Sequence, residues 1–324
     1  MALITAIGNF TKGLKKSSSM NKRTLLPAII LGILAACVAS AEKPVGTPYT
    51  YKVADGKELK LYVSTPPGWK PTDSRPAIVF FHGGGFVGGN AGQFAGQCLY
   101  LASRGMVAIS AEYRLLSKDR DKAPLVCNQD AKSAMRWVKT HVGELGIDPK
   151  RIAAGGGSAG GHLAAFVGLV DGGDDPGDDR SISTKVAALV LFNPAIAWPT
   201  KLPIEGRDSK MFQDGGEEFL KLAPSNFVSR SSPPTLILSG ERDPIVPMAY
   251  LQGFRKRLQE DGVRCETVFY KGKGHAFFNR DRDNGRYYTA TLLEVDRFLS
   301  SLGWIEGPAT LKMPEGVLTV GDAR

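Results

Sequence analysis

A glycine-rich turn around Ser158 constrains the fold of this chain more strongly than any other segment. Residues 151–163 read Arg-Ile-Ala-Ala-Gly-Gly-Gly-Ser-Ala-Gly-Gly-His-Leu, so a short apolar run leads into glycines and a small-residue helical pattern follows. The pattern predicts a strand, a very tight turn and a helix, in which Gly156, Ser158 and Gly160 fill the G-x-S-x-G spacing of a nucleophile elbow. Ser158 is therefore a candidate nucleophile, although five glycines within seven residues also suit a turn with an incidental serine.

Other segments carry residues that would complete a catalytic site with Ser158. Upstream, a buried apolar strand runs into His-Gly-Gly-Gly-Phe at 82–86, which has the form of an HGGG oxyanion loop. Downstream, Asp243 follows one apolar strand pattern and His275 follows the next. The chain order Ser, Asp, His, with the last two residues on loops after successive strands, is that of α/β-hydrolases. This agreement in order and placement favours catalysis over an incidental turn.

With these motifs, the sequence resembles the α/β-hydrolase esterases of the hormone-sensitive-lipase-like group, especially their small secreted bacterial acyl-esterase (acetyl esterase/lipase) branch. The matching segments lie between about residues 50 and 302 and are HGGGF at 82–86, Tyr113-Arg114-Leu115, 130–137, 146–149, GGGSAGGH at 155–162, Asp243 and Gly274-His275. The resemblance implies an α/β-hydrolase fold, with a mostly parallel, doubly wound sheet of about eight strands and the site at their carboxyl ends. It is specific for fold and reaction class and carries little information about the substrate.

The triad implied by this resemblance is Ser158, His275 and Asp243. Ser158 would attack an ester carbonyl, His275 would accept the proton and return it to the leaving alcohol, and Asp243 would orient the imidazole. Glu241 is a rival for the acidic position, two residues before Asp243. His162 lies one helical turn after the serine, where its backbone direction does not suit a general base.

An oxyanion hole is expected beside the serine. The backbone N–H of Ala159 would contribute one donor, and the loop at 82–85 would contribute the others. The resemblance selects Gly84 and Gly85, whereas the sequence alone does not choose among the three glycines. Residues considered for contact with substrate are His82, Phe86 and Trp198, although His82 suits a loop-bracing role better than an acid/base role.

The expected activity is the hydrolysis of short-chain acyl esters through an acyl-enzyme. By family analogy, acetylated or feruloylated polysaccharides are candidate substrates. The same triad would also serve a serine peptidase, and a catalytically inactive hydrolase fold could act as a binding protein, although such proteins usually lack the serine or the histidine. No metal or cofactor is required by the predicted mechanism.

Composition bears on other classes of function. The formal charge of +9 falls to +4 without residues 1–41, which hold five basic residues and no acids. No Lys/Arg block with interleaved aromatic residues remains, so the sequence gives no support for nucleic-acid binding. The cysteines are few and widely spaced, which argues against a disulfide framework and a zinc site and favours small buried side chains: Cys37, Cys98, Cys127 and Cys265.

The first 41 residues predict a signal peptide. A positive region at 21–23 precedes an apolar run at 25–38, and Ala39-Ser40-Ala41 supplies a cleavage site. Met20 would start a signal of ordinary length, which makes the preceding residues a candidate mis-called extension. The expected location is secreted or periplasmic.

A lipid anchor is the alternative to cleavage after Ala41. Leu34-Ala35-Ala36-Cys37 resembles the lipobox of bacterial lipoproteins, in which Cys37 would carry the lipid. The apolar run is short for a helix that spans a bilayer.

Residues 42–324 are expected to form a single domain. Within it, 196–226 departs from strand–helix alternation and is interpreted as a small lid insertion over the strand ends. Asp130 is interpreted as a structural carboxylate, and the aspartate-rich segment 171–179 as a solvated acidic loop rather than a calcium site. Residues 303–324 show no period and are not assigned.

Overall fold

The computed structural model describes residues 42–116, 124–196 and 223–323. The N-terminal segment with Cys37, most of the interpreted lid and its Trp198 lie outside the described residues. In the described part, nine strands form one mixed sheet: β1 (Thr47–Ala54), β2 (Lys57–Ser64), β3 (Arg75–Phe81), β4 (Val107–Ala111), β5 (Ile147–Gly157), β6 (Ala188–Phe192), β7 (Thr235–Gly240), β8 (Cys265–Tyr270) and β9 (Thr319–Ala323).

The strand order of the sheet is β1-β2-β4-β3-β5-β6-β7-β8-β9. The six strands from β4 to β8 in this order run parallel. The hairpin β1–β2 at one edge and β9 at the other pair antiparallel. Because the inner strands are parallel, the loops that follow them meet at one edge of the sheet, where α/β proteins place their sites.

Five α-helices cover the two faces of the sheet in the described residues: α1 (Ala95–Ser103), α2 (Leu125–Thr140), α3 (Ala159–Leu169), α4 (Met248–Glu260) and α5 (Arg286–Ser301). The helices α2, α3 and α4 pack against one face, and α1 and α5 against the other. Alternation along β3 explains the two layers, since Val79 and Phe81 join the first cluster while Ile78 and Phe80 join the second. Helices on both faces confirm the predicted doubly wound architecture.

Both ends of the sheet show how local sequence sets the pairing. The hairpin of β1 and β2 turns at Asp55 and Gly56, which have φ of 52° and 72°, as a tight turn between twisted strands requires. At the opposite edge, β9 comes from the C-terminal residues that the sequence left unassigned. This strand raises the total above the expected eight or so, and its antiparallel partner β8 supplies the pairing that its own sequence does not predict.

Asp130 has the structural role that the sequence predicts. Its carboxylate is fully buried in α2 and accepts a bidentate pair of bonds from Arg114, at 2.8 Å from both Nε and Nη2. The backbone N–H of Arg114 and the ammonium of Lys52 complete its shell at 3.0 and 2.8 Å. These bonds hold the segment after β4 against α2, because loss of Arg114 would remove three of the partners of a fully buried carboxylate and leave its charge poorly compensated.

The expectation of a solvated acidic loop at 171–179 is wrong for three of its five aspartates. Arg136 of α2 bonds two of them, at 2.5 and 2.8 Å, and Lys52 bonds the third at 2.6 Å: Asp174, Asp178 and Asp175. The loop is thus held against α2 and β1 by ion pairs. Sequence composition gave no indication of these pairs, because the cations lie about 40 to 120 residues away along the chain.

The remaining cysteines are buried and free, as predicted. Burial raises the pKa of Cys127 and Cys265 to about 12 and that of Cys98 further. These thiols are therefore protonated and unreactive in the folded protein at neutral pH. None of the helices described is both long and apolar enough to cross a bilayer.

Candidate active site

The turn between β5 and α3 has the geometry of a nucleophile elbow. Ser158 adopts φ 54° and ψ −116°, a strained conformation for a residue with a Cβ. This strained conformation is stabilised by backbone hydrogen bonds to strand β6 and to the loop after it. The Ser158 N–H donates to the carbonyl of Phe192 at 2.9 Å, and the Ser158 carbonyl accepts the N–H of Ala195 at 3.2 Å.

The flanking glycines are required by close packing at this turn. A Cβ on Gly156 would lie 2.6 Å from the carbonyl oxygen of Phe81, and one on Gly160 would overlap the same oxygen. Real Cβ atoms do not approach backbone so closely, so strand β3, strand β5 and helix α3 can meet here only through glycine. The G-x-S-x-G spacing therefore has a direct steric cause.

The structure brings Ser158, His275 and Asp243 together in one hydrogen-bonded chain. The imidazole Nε2 of His275 lies 2.8 Å from the hydroxyl oxygen of Ser158, and its Nδ1 lies 2.7 Å from Oδ2 of Asp243. A carboxylate only accepts, so Nδ1 carries the proton and Nε2 is left as the acceptor for the serine hydroxyl. This arrangement prepares Ser158 to lose its proton to His275.

The second carboxylate oxygen of Asp243 is also fixed. Oδ1 accepts the backbone N–H groups of Ile245 and Val246 at 2.8 and 2.9 Å, so the carboxylate cannot turn away from His275 without losing two bonds. Glu241, the rival for this position, instead accepts the N–H of Gly272 at 2.8 Å. Asp243 is therefore the acidic residue that contacts the imidazole.

Sequence reasoning missed a residue that holds the backbone beside His275. Asn193, at the end of β6, is fully buried, and its Oδ1 accepts the N–H of Ala276 at 3.3 Å. Ala276 has φ 60°, a conformation that needs such support. The sequence could have indicated this role only through position, since Asn193 follows a central strand at the same edge of the sheet as the triad.

The N–H of Gly84 in the HGGG loop (residues 82–86) is oriented through the carbonyl of its own peptide. The Nδ1–H of His82 donates to the Gly83 carbonyl at 2.8 Å. Because the C=O and N–H of a trans peptide point in opposite directions, this bond turns the N–H of Gly84 the other way. His82 is itself braced by Tyr113, whose ring stacks on the imidazole and whose hydroxyl donates to the His82 carbonyl at 2.7 Å.

The N–H of Gly85 is oriented by the same principle. The carbonyl of Gly84 accepts two backbone N–H groups at 3.2 and 3.1 Å, from Val87 and Gly88. Gly84 has φ 124°, and a Cβ there would collide with the Gly88 carbonyl, so glycine is required. Among the described residues, the N–H groups of Gly84, Gly85 and Ala159 have no hydrogen-bond acceptor, whereas the N–H of Gly83 donates to Gln93 at 2.6 Å.

Two of the residues considered for substrate contact are buried against other protein side chains. His82 is 2% exposed and makes the bracing contacts described above. Phe86 is 4% exposed and meets the ring of His162 edge-on at 5.6 Å. The geometry therefore favours a structural role for both side chains. His162 is also buried, and its Nδ1 lies 3.0 Å from the carbonyl oxygen of Ala195. This contact does not favour His162 as the general base.

Acidification is expected to destabilise the fold through two buried histidines. Burial lowers the pKa of His82 and of His162 from 6.5 to about 4, whereas both protonate near 6.5 in the unfolded chain. Between these pH values the unfolded chain binds more protons, so stability is present above pH 6.5 and is lost as pH falls towards 4. Each histidine should contribute up to about 3 kcal/mol to this loss.

Urea unfolding between pH 7 and pH 4.5 measures this effect. The variant His162→Gln removes one of the two groups, while the carboxylates that also titrate remain unchanged. Its unfolding free energy should therefore depend less steeply on pH than that of the wild type. Equal slopes in the two proteins would show that His162 does not carry this dependence.

Several known proteins with similar sequences or structures are esterases. Residues 63–258 match the family model BD-FAE, and residues 222–303 match the dienelactone hydrolase family. In Mycobacterium tuberculosis, the probable carboxylic ester hydrolase LipM is 29% identical over 76% of this chain and 59% of its own length, and esterase LipC is 30% identical over 64% and 54%. The chain thus spans little more than half the length of these two relatives.

This chain matches one solved structure over nearly the whole length of that structure. Apo esterase 2 of Thermogutta terrifontis superposes with a TM-score of 0.76 at 40% identity, covering 82% of this chain and 98% of that one. The same esterase with propionate bound superposes with a TM-score of 0.75. Since the BD-FAE match also extends over more than half of the residues, the chain belongs to the BD-FAE family and has the α/β-hydrolase fold of these esterases.

Proposed function

We propose that this protein is a serine carboxylesterase that works through an acyl-enzyme on Ser158. The observation that carries the proposal is the continuous chain from Ser158 through His275 to Asp243, with bonds of 2.8 and 2.7 Å. His275 removes the serine proton during attack on the ester carbonyl and then protonates the leaving alcohol. Water next attacks the acyl-enzyme, and the same histidine acts again as base.

The developing oxyanion is stabilised by the N–H groups of Gly84, Gly85 and Ala159. In support, these groups have no acceptor among the described residues, and two of them are oriented through their own peptide carbonyls. Ala159 also stands at the first position of α3, where the helix dipole favours negative charge. Each such donor is worth about 10²–10³ in rate.

Esters of short acyl groups are the proposed substrates. The related esterase 2 of T. terrifontis has been solved with propionate and with butyrate bound, which are short carboxylates. By family analogy, the alcohol component is a sugar of an acetylated or feruloylated polysaccharide. The predicted lid insertion near 196–226, with Trp198 as a candidate for substrate contact, is proposed to select acyl or alcohol groups.

Hydrolysis of a p-nitrophenyl ester series from acetate to palmitate tests the substrate range. We expect kcat/KM to be highest for acetate and butyrate and at least about tenfold lower for chains beyond eight carbons, because overfilling a site of short-acyl size costs about 1–3 kcal/mol. Maximal activity on palmitate would contradict the short-acyl proposal. Equal rates on a matched anilide would instead favour the peptidase alternative, and a lack of any activity would favour a binding protein.

We propose further that the protein is exported and that residues 42–324 form the mature domain. The charged, apolar and small-residue regions of the first 41 residues support this proposal. N-terminal sequencing of the protein from the producing cell distinguishes a start at Glu42 from a lipid-modified start at Cys37. An N-terminus at residue 1 or 20 would contradict export by either route.

A further inference from the structure

Two side-chain amides join the HGGG loop to the loop that carries His275 (residues 271–279, the histidine loop). The Oε1 of Gln93 accepts the N–H of Gly83 at 2.6 Å, and its Nε2 donates to Oδ1 of Asn279 at 3.0 Å. Neither side chain belongs to the triad, the G-x-S-x-G elbow or the HGGG loop. We propose that Gln93 and Asn279 are positioning residues that hold the oxyanion donors in register with the imidazole.

The first contact fixes one end of the HGGG loop. The peptide between residues 82 and 83 is held on both sides, because its carbonyl accepts the hydroxyl of Tyr113 and its N–H donates to Gln93. This peptide directly precedes the one that bears the N–H of Gly84. A rotation here would carry through to Gly84, so the Gln93 bond restricts the direction of that donor.

The second contact fixes the end of the histidine loop. Asn279 is 6% exposed, and its backbone N–H donates to the carbonyl of Ala276 at 3.2 Å, which closes a turn directly after His275. Its side chain then receives the N–H of Gln93. The bond to Gln93 is partly buried, so the local dielectric is lower than in water and the bond costs more to break than a fully exposed one.

Gln93 is anchored on its own segment. It lies in a short 3-10 turn, Ala91–Phe94, in which the carbonyl of Ala91 accepts the hydroxyl of Ser110 at 2.6 Å. The side chain of Asn90 caps the same turn at 2.7 Å. A rigid base of this kind lets one amide join the HGGG loop to Asn279, which lies 186 residues after Gln93 in the sequence.

The bridge requires an amide, since a single group must accept on one side and donate on the other. Glutamine provides both at the observed spacing, whereas methionine has a similar length and volume but offers no donor and only a weak sulfur acceptor. A residue that only filled space would therefore tolerate Gln93→Met. A residue that positions the loop would not, because the Gly83 N–H and the Asn279 oxygen would both lose their partners.

The proposal rests on the proposed esterase activity and is tested by a double-mutant cycle with Gln93→Met and Asn279→Leu. Each single variant should lower kcat/KM for p-nitrophenyl acetate by about 10- to 100-fold, somewhat less than the loss of an oxyanion donor itself. The double variant should be no worse than Gln93→Met alone, because both changes cut the same bridge. Gln252→Met, on the exposed face of α4, is the matched control.

Further measurements separate positioning from folding. A trifluoromethyl ketone, which forms a tetrahedral oxyanion on serine, should lose affinity in proportion to kcat/KM, while thermal unfolding shifts by only a few degrees. Asn279→Asp keeps an acceptor for Gln93 and should lie within about threefold of wild type. An active wild type with Gln93→Met unimpaired, or with singles whose losses multiply, would overturn the inference and leave the esterase proposal standing. An inactive wild type would refute the esterase proposal itself.

Discussion

Replacement of Ser158 by alanine is expected to lower kcat/KM for p-nitrophenyl acetate by about 10⁴–10⁶-fold. The hydroxyl oxygen of Ser158 lies 2.8 Å from Nε2 of His275, within hydrogen-bond distance of the proposed base. Without it no acyl-enzyme forms, and only the binding and oxyanion contributions remain for direct attack by water. The elbow fold should survive, because the backbone bonds of residue 158 to Phe192 and Ala195 do not involve the side chain.

Labelling with a fluorophosphonate probe provides a second measurement of the same prediction. The wild type should gain one covalent label, and Ser158→Ala should gain none. Ser239→Ala is the matched control, since Ser239 is also a buried serine near the carboxyl end of a central strand and its hydroxyl has no partner among the described residues. Labelling of Ser158→Ala, or equal loss of activity in the control, would contradict the assignment of the nucleophile.

The residues that could be predicted from sequence are those with a local steric requirement. Gly156 and Gly160 flank the serine because a Cβ at either position would meet Phe81, and this demand leaves a readable spacing. The glycines at 83–85 leave a similar trace. The alternation of strand and helix patterns then places Asp243 and His275 on loops at the same sheet edge. The sequence therefore predicts that these two loops and the Ser158 turn lie close together in space.

The residues that could not be predicted act through single long-range bonds. Asn193 reaches Ala276 from 83 residues away, and the Gln93–Asn279 contact spans 186 residues, so neither leaves a repeated spacing in the chain. The sequence of 171–179 predicts solvated aspartates, but three of them pair with cations on other elements, namely Asp174, Asp175 and Asp178. In each case a polar side chain is defined by a partner from elsewhere in the fold, and one sequence does not reveal that partner.

Substitution of Asp243 by asparagine is expected to lower kcat/KM by about 10⁴-fold while leaving the site nearly unchanged in shape. The two N–H groups of Ile245 and Val246 bond Oδ1 and require an oxygen there, so the new amide must place its oxygen at that position. Its NH₂ group then faces Nδ1 of His275, 2.7 Å away in the native protein. A donor at this position forces Nδ1 to accept, which moves the imidazole proton to Nε2.

That tautomer directs an N–H at the Ser158 hydroxyl and leaves no acceptor for its proton, so the loss arises from the wrong position of one hydrogen. Single-turnover kinetics should show a slow acylation step at unchanged thermal stability. Glu241→Gln is the matched control, because a glutamine can still accept the N–H of Gly272 and should stay within about twofold of wild type. A larger loss in Glu241→Gln than in Asp243→Asn would transfer the acidic role to Glu241, against the geometry of the imidazole contact.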